Sequence, residues 1–595
     1  MIALHRGAAC ALLIFIAIAM TAQTTTSKRP ATSEVRGSAW DRLVDQFFDD
    51  LYFPFHPTAA TSAGFHRWDK QLEDYSRAGV DAEAKALKSM RPKFESFDVK
   101  TLSPEQQADR QLVISAIDSA LLELENIRSW QKNPDVYSSG ITNSVFTIMS
   151  RKFAPPEDRL RSVIARERLM PKVFDHAREN LENPPKVYTD IALLQLPGIV
   201  GFFQKDVPEA FTAVKDPALL AEFKTTNQAV IAALEGYEKW MRSDLLPRSN
   251  GDFRIGAENY RKKLLYDEMV DTPLDQLLKL GYENLRHNQQ QFKEVAAKID
   301  PNKTPQQLLE EMQKDYPPPD KLLQTVRESL DDIRRFIIRK GIVDIPSPVL
   351  PIVEETPPFA RALTFASMDT PGPYEQKAKE AYFNVTLPAS DLKPEQVAQF
   401  MAQFNYNTLI SVETHEAYPG HYVQFLWVQH APSKVRKLIG SASNAEGWAH
   451  YCEQMMLDEG YGQDGTAPSV KEDQKALKLR LGQIQDALLR NARYLVGIQM
   501  HTGKMTLDEA VDFFVKEGYQ SRVVGQTEAK RGTSDPTYLV YTLGKLEILK
   551  LRDDYKKKMG AKFSLKEFHD DFLKQGFPPV KIIRHAMLGD DSPVL

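Results

Sequence analysis

The sequence predicts a mainly α protein, one large helical body in two lobes with a small β-sheet late in the chain. Three observations predict it. Apolar residues recur at helical spacing over long stretches, notably 219–242, 274–299, 322–338 and 475–498. Proline runs punctuate the helical pattern at Pro155-Pro156, Pro184-Pro185 and Pro317-Pro318-Pro319. One region, 345–387, loses the helical period and becomes proline-rich and β-prone.

In chain order, Met1–Ala22 has the form of a secretory signal. Arg6 precedes an apolar run from Ala8 to Met20, and small residues lead to a cleavage point after Ala22, with Ala19 as the alternative. The run is too short for a membrane span. Secretion or periplasmic export without stable membrane insertion follows, and a retained anchor is the alternative. Cys10 lies early for a lipoprotein cysteine. Residues 23–39, rich in Thr and Ser, read as a disordered tether. The rest, 40–595, reads as a single helical unit without internal repeats, although a chain of this length more often divides into several domains.

The first amphipathic helix runs from Trp40 to Phe48 and breaks at Pro54 and Pro57. His56 and His66 follow, read as hydrogen-bonded histidines rather than ligands. Residues 137–141, Tyr-Ser-Ser-Gly-Ile, read as a loop. Pro155-Pro156-Glu157-Asp158 opens a helix, because prolines and acids both suit a first turn. In the β-prone region, 361–366 and 381–387 read as strands of a small sheet just before the run of 396–417. An exposed edge there suits a peptide bound by strand addition. The glycines of 460–465 mark a turn, and Thr506 caps a new helix. Residues 523–532 read as an ordinary surface loop. Asp535-Pro536 opens a helix bearing Tyr538, Tyr541, Lys545 and Arg552.

Composition removes several function classes. The net charge is −4 with no basic block, which argues against nucleic acid as a partner. G-x-S-x-G and P-loop patterns are absent from the sequence. Beyond Cys10 the chain has one cysteine, Cys452, so an internal disulfide is ruled out once the signal is removed.

Chemistry concentrates in Thr414-His415-Glu416-Ala417-Tyr418-Pro419-Gly420-His421 and Glu446-Gly447-Trp448-Ala449-His450-Tyr451-Cys452-Glu453. A catalytic Zn²⁺ takes three protein ligands, commonly two His and a Glu, and keeps a place for water. In an HExxH helix the two histidines, four apart, share a face. Here they are six apart, about 600° along a helix, which would leave the rings roughly 120° apart. They can share one metal only if the backbone is interrupted. Pro419 lacks an N–H and would clash with the His415 carbonyl, and Gly420 tolerates unusual dihedrals. The spacing predicts a helix ending near Tyr418, a tight bulge and a new helix starting at His421. In the second segment Glu446, His450 and Glu453 share one helical face. Burying them requires partners, which a metal and its surroundings would supply. Either Glu446 or His450 can complete the ligand set. Glu453 is the first candidate to orient a ligating imidazole, with His450 also in reach and Glu413 as a weaker choice. A developing oxyanion needs a donor, for which Tyr541 is the first candidate and Tyr538 the second. Arg493, Lys545 and Arg552 suit a substrate carboxylate, or else structural ion pairs.

At these two segments the chain resembles a bacterial family known only as domain of unknown function 885. Residues 541–552 and Glu567-Phe568-His569-Asp570 also resemble it, and the likeness runs from about residue 40 to the end. That family is similar to HExxH-type zinc peptidases, the gluzincins. The step of 25 residues from His421 to Glu446 resembles the spacing in the thimet oligopeptidase and neurolysin family. The resemblance implies His415, His421 and Glu446 as ligands, Glu416 as general base, one Zn²⁺, and a deep cleft between lobes that admits short peptides. The site subregion would be about 345–595. The longer His–His spacing departs from the HExxH pattern. The expected activity is therefore metal-assisted peptide hydrolysis. The alternatives are a metal-dependent hydrolase of a non-peptide amide or ester, and a non-catalytic exported binding protein with a structural metal site.

Overall fold

The computed structural model describes residues 38–595 except 357–360, 362–363, 464 and 472–473. The signal segment and nearly all of the tether lie outside the described residues. So do parts of the first β-prone stretch and of the turn at 460–465.

Helices dominate, and the amphipathic periods place them well. Leu274–Ile299 forms as the period predicts, burying Leu277, Leu285, Phe292 and Ala296 along one face. Each of the leucines and the phenylalanine contributes roughly 1.5–3 kcal/mol by leaving water. Pro156–Glu167 starts at its proline with Glu157 and Asp158 in the first turn. Thr506 caps Leu507–Lys516 in a reciprocal pair with Glu509. No helix among the described residues is long and apolar enough to cross a membrane.

Two stretches read as loops are helices. Residues 137–141 lie inside Asp135–Ser150, where Tyr137, Ile141, Val145 and Ile148 are buried on one face. The turn-like Ser-Ser-Gly is overridden by packing, and a side chain on Gly140 would collide with the Tyr75 hydroxyl. Residues 523–532 belong to the helix Arg522–Ser534, capped by Ser521. Its apolar content is low, which hid the period, but Gly525, Ala529 and Gly532 let it pack closely on its neighbours.

A helix labelled α1 (Leu322–Lys340) leads to the sheet. The strands are β1 (Ile352–Glu355), β2 (Ala366–Asp369) and β3 (Tyr382–Val385), in the order β1-β3-β2. β1 runs parallel to β3, with Val353 opposite Phe383, and β2 runs antiparallel, with Met368 opposite Phe383. The small sheet forms within the β-prone region, but only one strand matches: β3 falls inside 381–387, whereas β2 begins at Ala366, the last residue of the expected strand 361–366, and β1 precedes it. β1 packs on α1, and β2 packs on the helix that carries His415.

The helices that build the site follow. They are α2 (Tyr406–Glu416), α3 (His421–Val428), α4 (Ala442–Asp458), α5 (Lys475–His501), α6 (Arg522–Ser534) and α7 (Val540–Met559). The run to His415 is not continuous. Pro394–Met401 ends in a short 3-10 turn, and Asn405 caps α2 afresh. Helices α4 and α7 cross almost backbone to backbone. A Cβ on Gly544 would lie 1.7 Å from the Ser443 carbonyl oxygen, and one on Gly447 would lie 2.5 Å from Gly544 Cα. This crossing places Tyr541, one turn before Gly544, beside the helix that bears Glu446.

Candidate metal centre

The interruption between the two histidines has the predicted place and a tighter form. Helix α2 ends at Glu416, two residues before the expected Tyr418, and α3 begins at His421. The amides of Ala417 and Tyr418 both donate to the Glu413 carbonyl, at 2.9 and 3.2 Å. The Tyr418–Pro419 peptide is cis. The Gly420 amide then returns to the Thr414 carbonyl at 3.1 Å. Gly420 has φ −67° and ψ −132°, so its value lies not in positive φ. A Cβ there would sit 1.8 Å from the His415 carbonyl oxygen. Only glycine allows the chain to pass so close. Trp448 of α4 braces the bulge by donating its indole N–H to the Pro419 carbonyl at 3.0 Å.

The result is that His421 swings back beside His415. Their ring centroids are 4.9 Å apart and nearly perpendicular. Glu446 of α4 faces both rings. Its Oε2 lies 3.3 Å from His415 Nε2 and 3.5 Å from His421 Nε2. One ligand atom from each of the three residues fits within a 4.8 Å span. All three are largely buried, with the Glu446 side chain keeping 20 % of its surface, so the cluster is open on that side. Glu446 Oε2 makes no hydrogen bond despite its burial. Unused lone pairs aimed at a common point, from two imidazoles and one carboxylate, fit a divalent metal of the zinc type.

Behind the cluster, Glu453 accepts three donors. His415 Nδ1 donates to Oε1 at 2.7 Å and His450 Nδ1 to Oε2 at 3.0 Å, while the Arg490 guanidinium sits 3.0 Å from Oε1. The first bond fixes the His415 tautomer and turns Nε2 outward toward Glu446. Burial alone would raise the Glu453 carboxyl, but Arg490, His450 and His415 hold it well below the usual range. Burial alone would lower His415, yet the facing Glu446 carboxylate and the bond to Glu453 raise it to about 9. Glu446 is likewise held well below its usual range, the two imidazoles that face it outweighing burial. His450 is pushed down to about 3, by burial first and then by the Lys545 charge. It is a neutral donor to Glu453.

The geometry agrees with a shared ancestry over most of the chain. Residues 57–587 match the family described as bacterial protein of unknown function, DUF885. The chain belongs to that family. A solved structure described as a candidate lipoprotein of unknown function from Shewanella oneidensis is 28 % identical, with a TM-score of 0.75 over 93 % of this chain and 100 % of that one. Another, a candidate lipoprotein from Colwellia psychrerythraea, is 17 % identical and shares the fold with a TM-score of 0.77, over 92 % of this chain and 99 % of that one. No curated protein matches the sequence.

The remaining sequence-derived residues divide. Glu416 is the last residue of α2, next to His415, and is partly exposed. Tyr541 stands beside His415, ring centroids 6.4 Å apart and planes within 25°. Burial and the Glu446 charge raise its pKa, so it keeps its proton. Tyr538 goes elsewhere. It lies in the turn before α7 and packs in an apolar cluster between Gly497 and Gly532. Arg493 is held by both oxygens of Glu528, at 2.7 and 2.8 Å. Arg552 donates to the Tyr451 hydroxyl at 3.3 Å. Lys545 is buried, and burial pulls its pKa down to about 8. Glu413 is buried too, its carboxyl pushed well up by burial, and it bonds to neither histidine. His56 pairs with Glu83, and His66 with Asp69 and Glu375, as satisfied histidines.

Two residues carry more than the sequence suggested. Arg490 holds Glu453, and Arg531 of α6 donates to the Tyr541 hydroxyl at 3.3 Å. A signal existed for the first. Asp486, Arg490 and Arg493 fall at i, i+4 and i+7 and form one polar stripe along α5.

Proposed function

We propose that this chain is an exported zinc-dependent peptidase, related to the HExxH-type zinc peptidases and acting on short peptides. The observation that carries the reading is the convergence of His415, His421 and Glu446, with Tyr541 alongside and Glu416 next to His415 at the end of α2. Among the described residues the cluster contains three ligands. A structural zinc site is closed by four, whereas a catalytic one leaves a position open.

His415, His421 and Glu446 would hold the ion. Zinc, when bound, supplies a Lewis acid for a carbonyl and acidifies water at neutral pH. Glu453 keeps His415 in the tautomer that offers Nε2. Glu416 accepts the proton of the attacking water and returns it to the leaving amine. Tyr541, still protonated, donates to the oxygen that gains charge from the scissile carbonyl. The β2 edge, packed on the helix that carries His415, offers backbone groups for an extended peptide. Export is supported by the form of Met1–Ala22 and by the description of both structural neighbours as candidate lipoproteins.

The test is metal analysis of the purified protein, then digestion of a mixed peptide library read by mass spectrometry. Wild type is expected to carry about one zinc and to cleave. Glu416→Gln is expected to keep the metal and lose about 10²–10⁴-fold in kcat/KM. Full hydrolysis by Glu416→Gln would exclude the assigned base. A zinc-loaded wild type that cleaves no peptide would exclude the activity.

A further inference from the structure

Tyr541 sits within a ring of three arginines. The guanidinium carbons of Arg493, Arg490 and Arg531 lie 5.1, 5.8 and 5.9 Å from its ring centroid. Each cation is fixed by its own carboxylate. Arg493 is forked onto Glu528, Arg490 is paired with Glu453, and Arg531 places Nε and Nη2 on Asp535 Oδ2 at 3.2 and 3.0 Å. Three anchored guanidiniums wall one phenol, so the ring has a single orientation. The charges largely cancel within the three pairs, and what remains is placement.

Arg531 does something the other two do not. Its Nη2 donates to the phenol oxygen at 3.3 Å. A phenol has one proton and accepting lone pairs on the same atom. Once Arg531 occupies the accepting side, the proton must point away from it. Among the described residues no acceptor takes that proton. The Tyr541 ring lies beside His415, and Glu446 is near enough for its charge to be felt at the phenol.

Resting on the peptidase reading, we propose that Arg531 is a positioning residue, which by donating to the Tyr541 oxygen commits the phenol proton to the metal side, where it meets the developing oxyanion. Helix α6 is then part of the active-site wall. Arginine suits the task because its planar group holds Asp535 and Tyr541 at fixed angles together, which a lysine ammonium does with less definition.

The interaction is realised in the transition state, so its loss falls on kcat with KM nearly unchanged. Arg531→Met is expected to lower kcat about 10-fold, Tyr541→Phe about 10²-fold or more. In the Tyr541→Phe background, Arg531→Met is expected to cost nothing further. Arg531→Lys, which keeps a donor and the charge, should recover most of the loss, and thermal melting checks that each variant folds. A second readout avoids turnover. Zinc-loaded Glu416→Gln protein is titrated calorimetrically with a phosphinic peptide, whose tetrahedral oxygens mimic the oxyanion. Affinity should fall about 10-fold on adding Arg531→Met, and not when the Tyr541→Phe change is already present. Equal losses with Tyr541 intact and in the Tyr541→Phe background, by either readout, would overturn the proposal. If wild type cleaves nothing, the peptidase reading fails alone, because the calorimetric cycle still decides whether Arg531 acts through Tyr541. Absence of phosphinic-peptide binding would remove both.

Discussion

Two histidines in this protein each sit between two carboxylates, and they do different things. His66 places Nδ1 3.1 Å from Asp69 and Nε2 2.8 Å from Glu375. His415 places Nδ1 2.7 Å from Glu453 and Nε2 3.3 Å from Glu446. In both, burial opposes the charge, the carboxylates win, and the pKa rises to about 9. The difference lies in what is left unused. Around His66, Thr61 takes the other oxygen of Asp69, and the amides of Lys377 and Ala378 take the other oxygen of Glu375. The imidazole lies flat on Phe153, centroids 3.7 Å apart. Every strong group has a partner, so the triad is a clamp between an N-terminal turn and the segment leading to β3. Around His415 a second imidazole intrudes, and Glu446 Oε2 is buried without a hydrogen bond. Residue types do not separate a clamp from a site. Saturation does.

The strongest way to break this comparison is to remove one imidazole from each place. His421→Ala is expected to take zinc content from about one per chain to near zero and peptide hydrolysis down by about 10²-fold or more, because one of three ligands is lost. His66→Ala should keep full zinc and lower stability by about 2 kcal/mol, the cost of leaving two carboxylates facing each other. Elemental analysis and urea titration of both variants check this. Equal zinc in wild type and His421→Ala would end the metal assignment.

Much of this contrast was legible in the sequence, for a reason that can be stated. The His415–His421 spacing allows a shared site only through a bulge, and Pro419-Gly420 supplies one. Glu446, His450 and Glu453 share a helical face whatever the tertiary structure. Local geometry therefore led to the two segments, and the family resemblance chose Glu446 over His450. The Arg531–Tyr541 contact was not legible, because α6 has a weak apolar period and its role depends on a non-local approach. Tyr538, the second candidate after Tyr541, shares a face with it at i and i+3 only if both lie on one helix, yet α7 starts at Val540 and leaves Tyr538 in the preceding turn. Tyr137 to Ile141 misled in the same way, since burial of one face overrode a turn-like composition. The role of Gly420 was right in kind and wrong in cause, with close approach to a carbonyl replacing positive φ.

A smaller change sharpens the comparison at the orienting carboxylates. Glu453→Gln keeps shape and removes charge. It is expected to weaken zinc binding by about 10–100-fold, the usual scale for a partner that orients a ligating imidazole. Competition with a chromophoric chelator reads this directly. Glu375→Gln, the matching change at the clamp, should leave zinc affinity alone and lower stability by about 1 kcal/mol. If Glu453→Gln binds zinc as wild type does, the orienting role is wrong even though the ligands stand.

The smallest expected effect is in pH dependence, and there the two histidines differ in sign. The folded His66 pKa of about 9 lies above its ordinary 6.5. Its contribution to stability is therefore complete below about 6.5 and is lost as pH rises through about 9. After allowing for partial exposure, the loss is on the order of 1–2 kcal/mol. It should appear as a difference between wild type and His66→Gln in urea midpoints measured from pH 6 to 10, with the two converging at the alkaline end. His415 carries the same raised pKa, but a metal must displace that proton before it can bind. Zinc affinity is therefore expected to climb with pH over the interval in which the clamp weakens. Two imidazoles with the same pKa thus give opposite slopes, because at one the proton is the permanent partner and at the other it competes with the ligand. A His66→Gln profile parallel to wild type across that range would remove the clamp from the comparison.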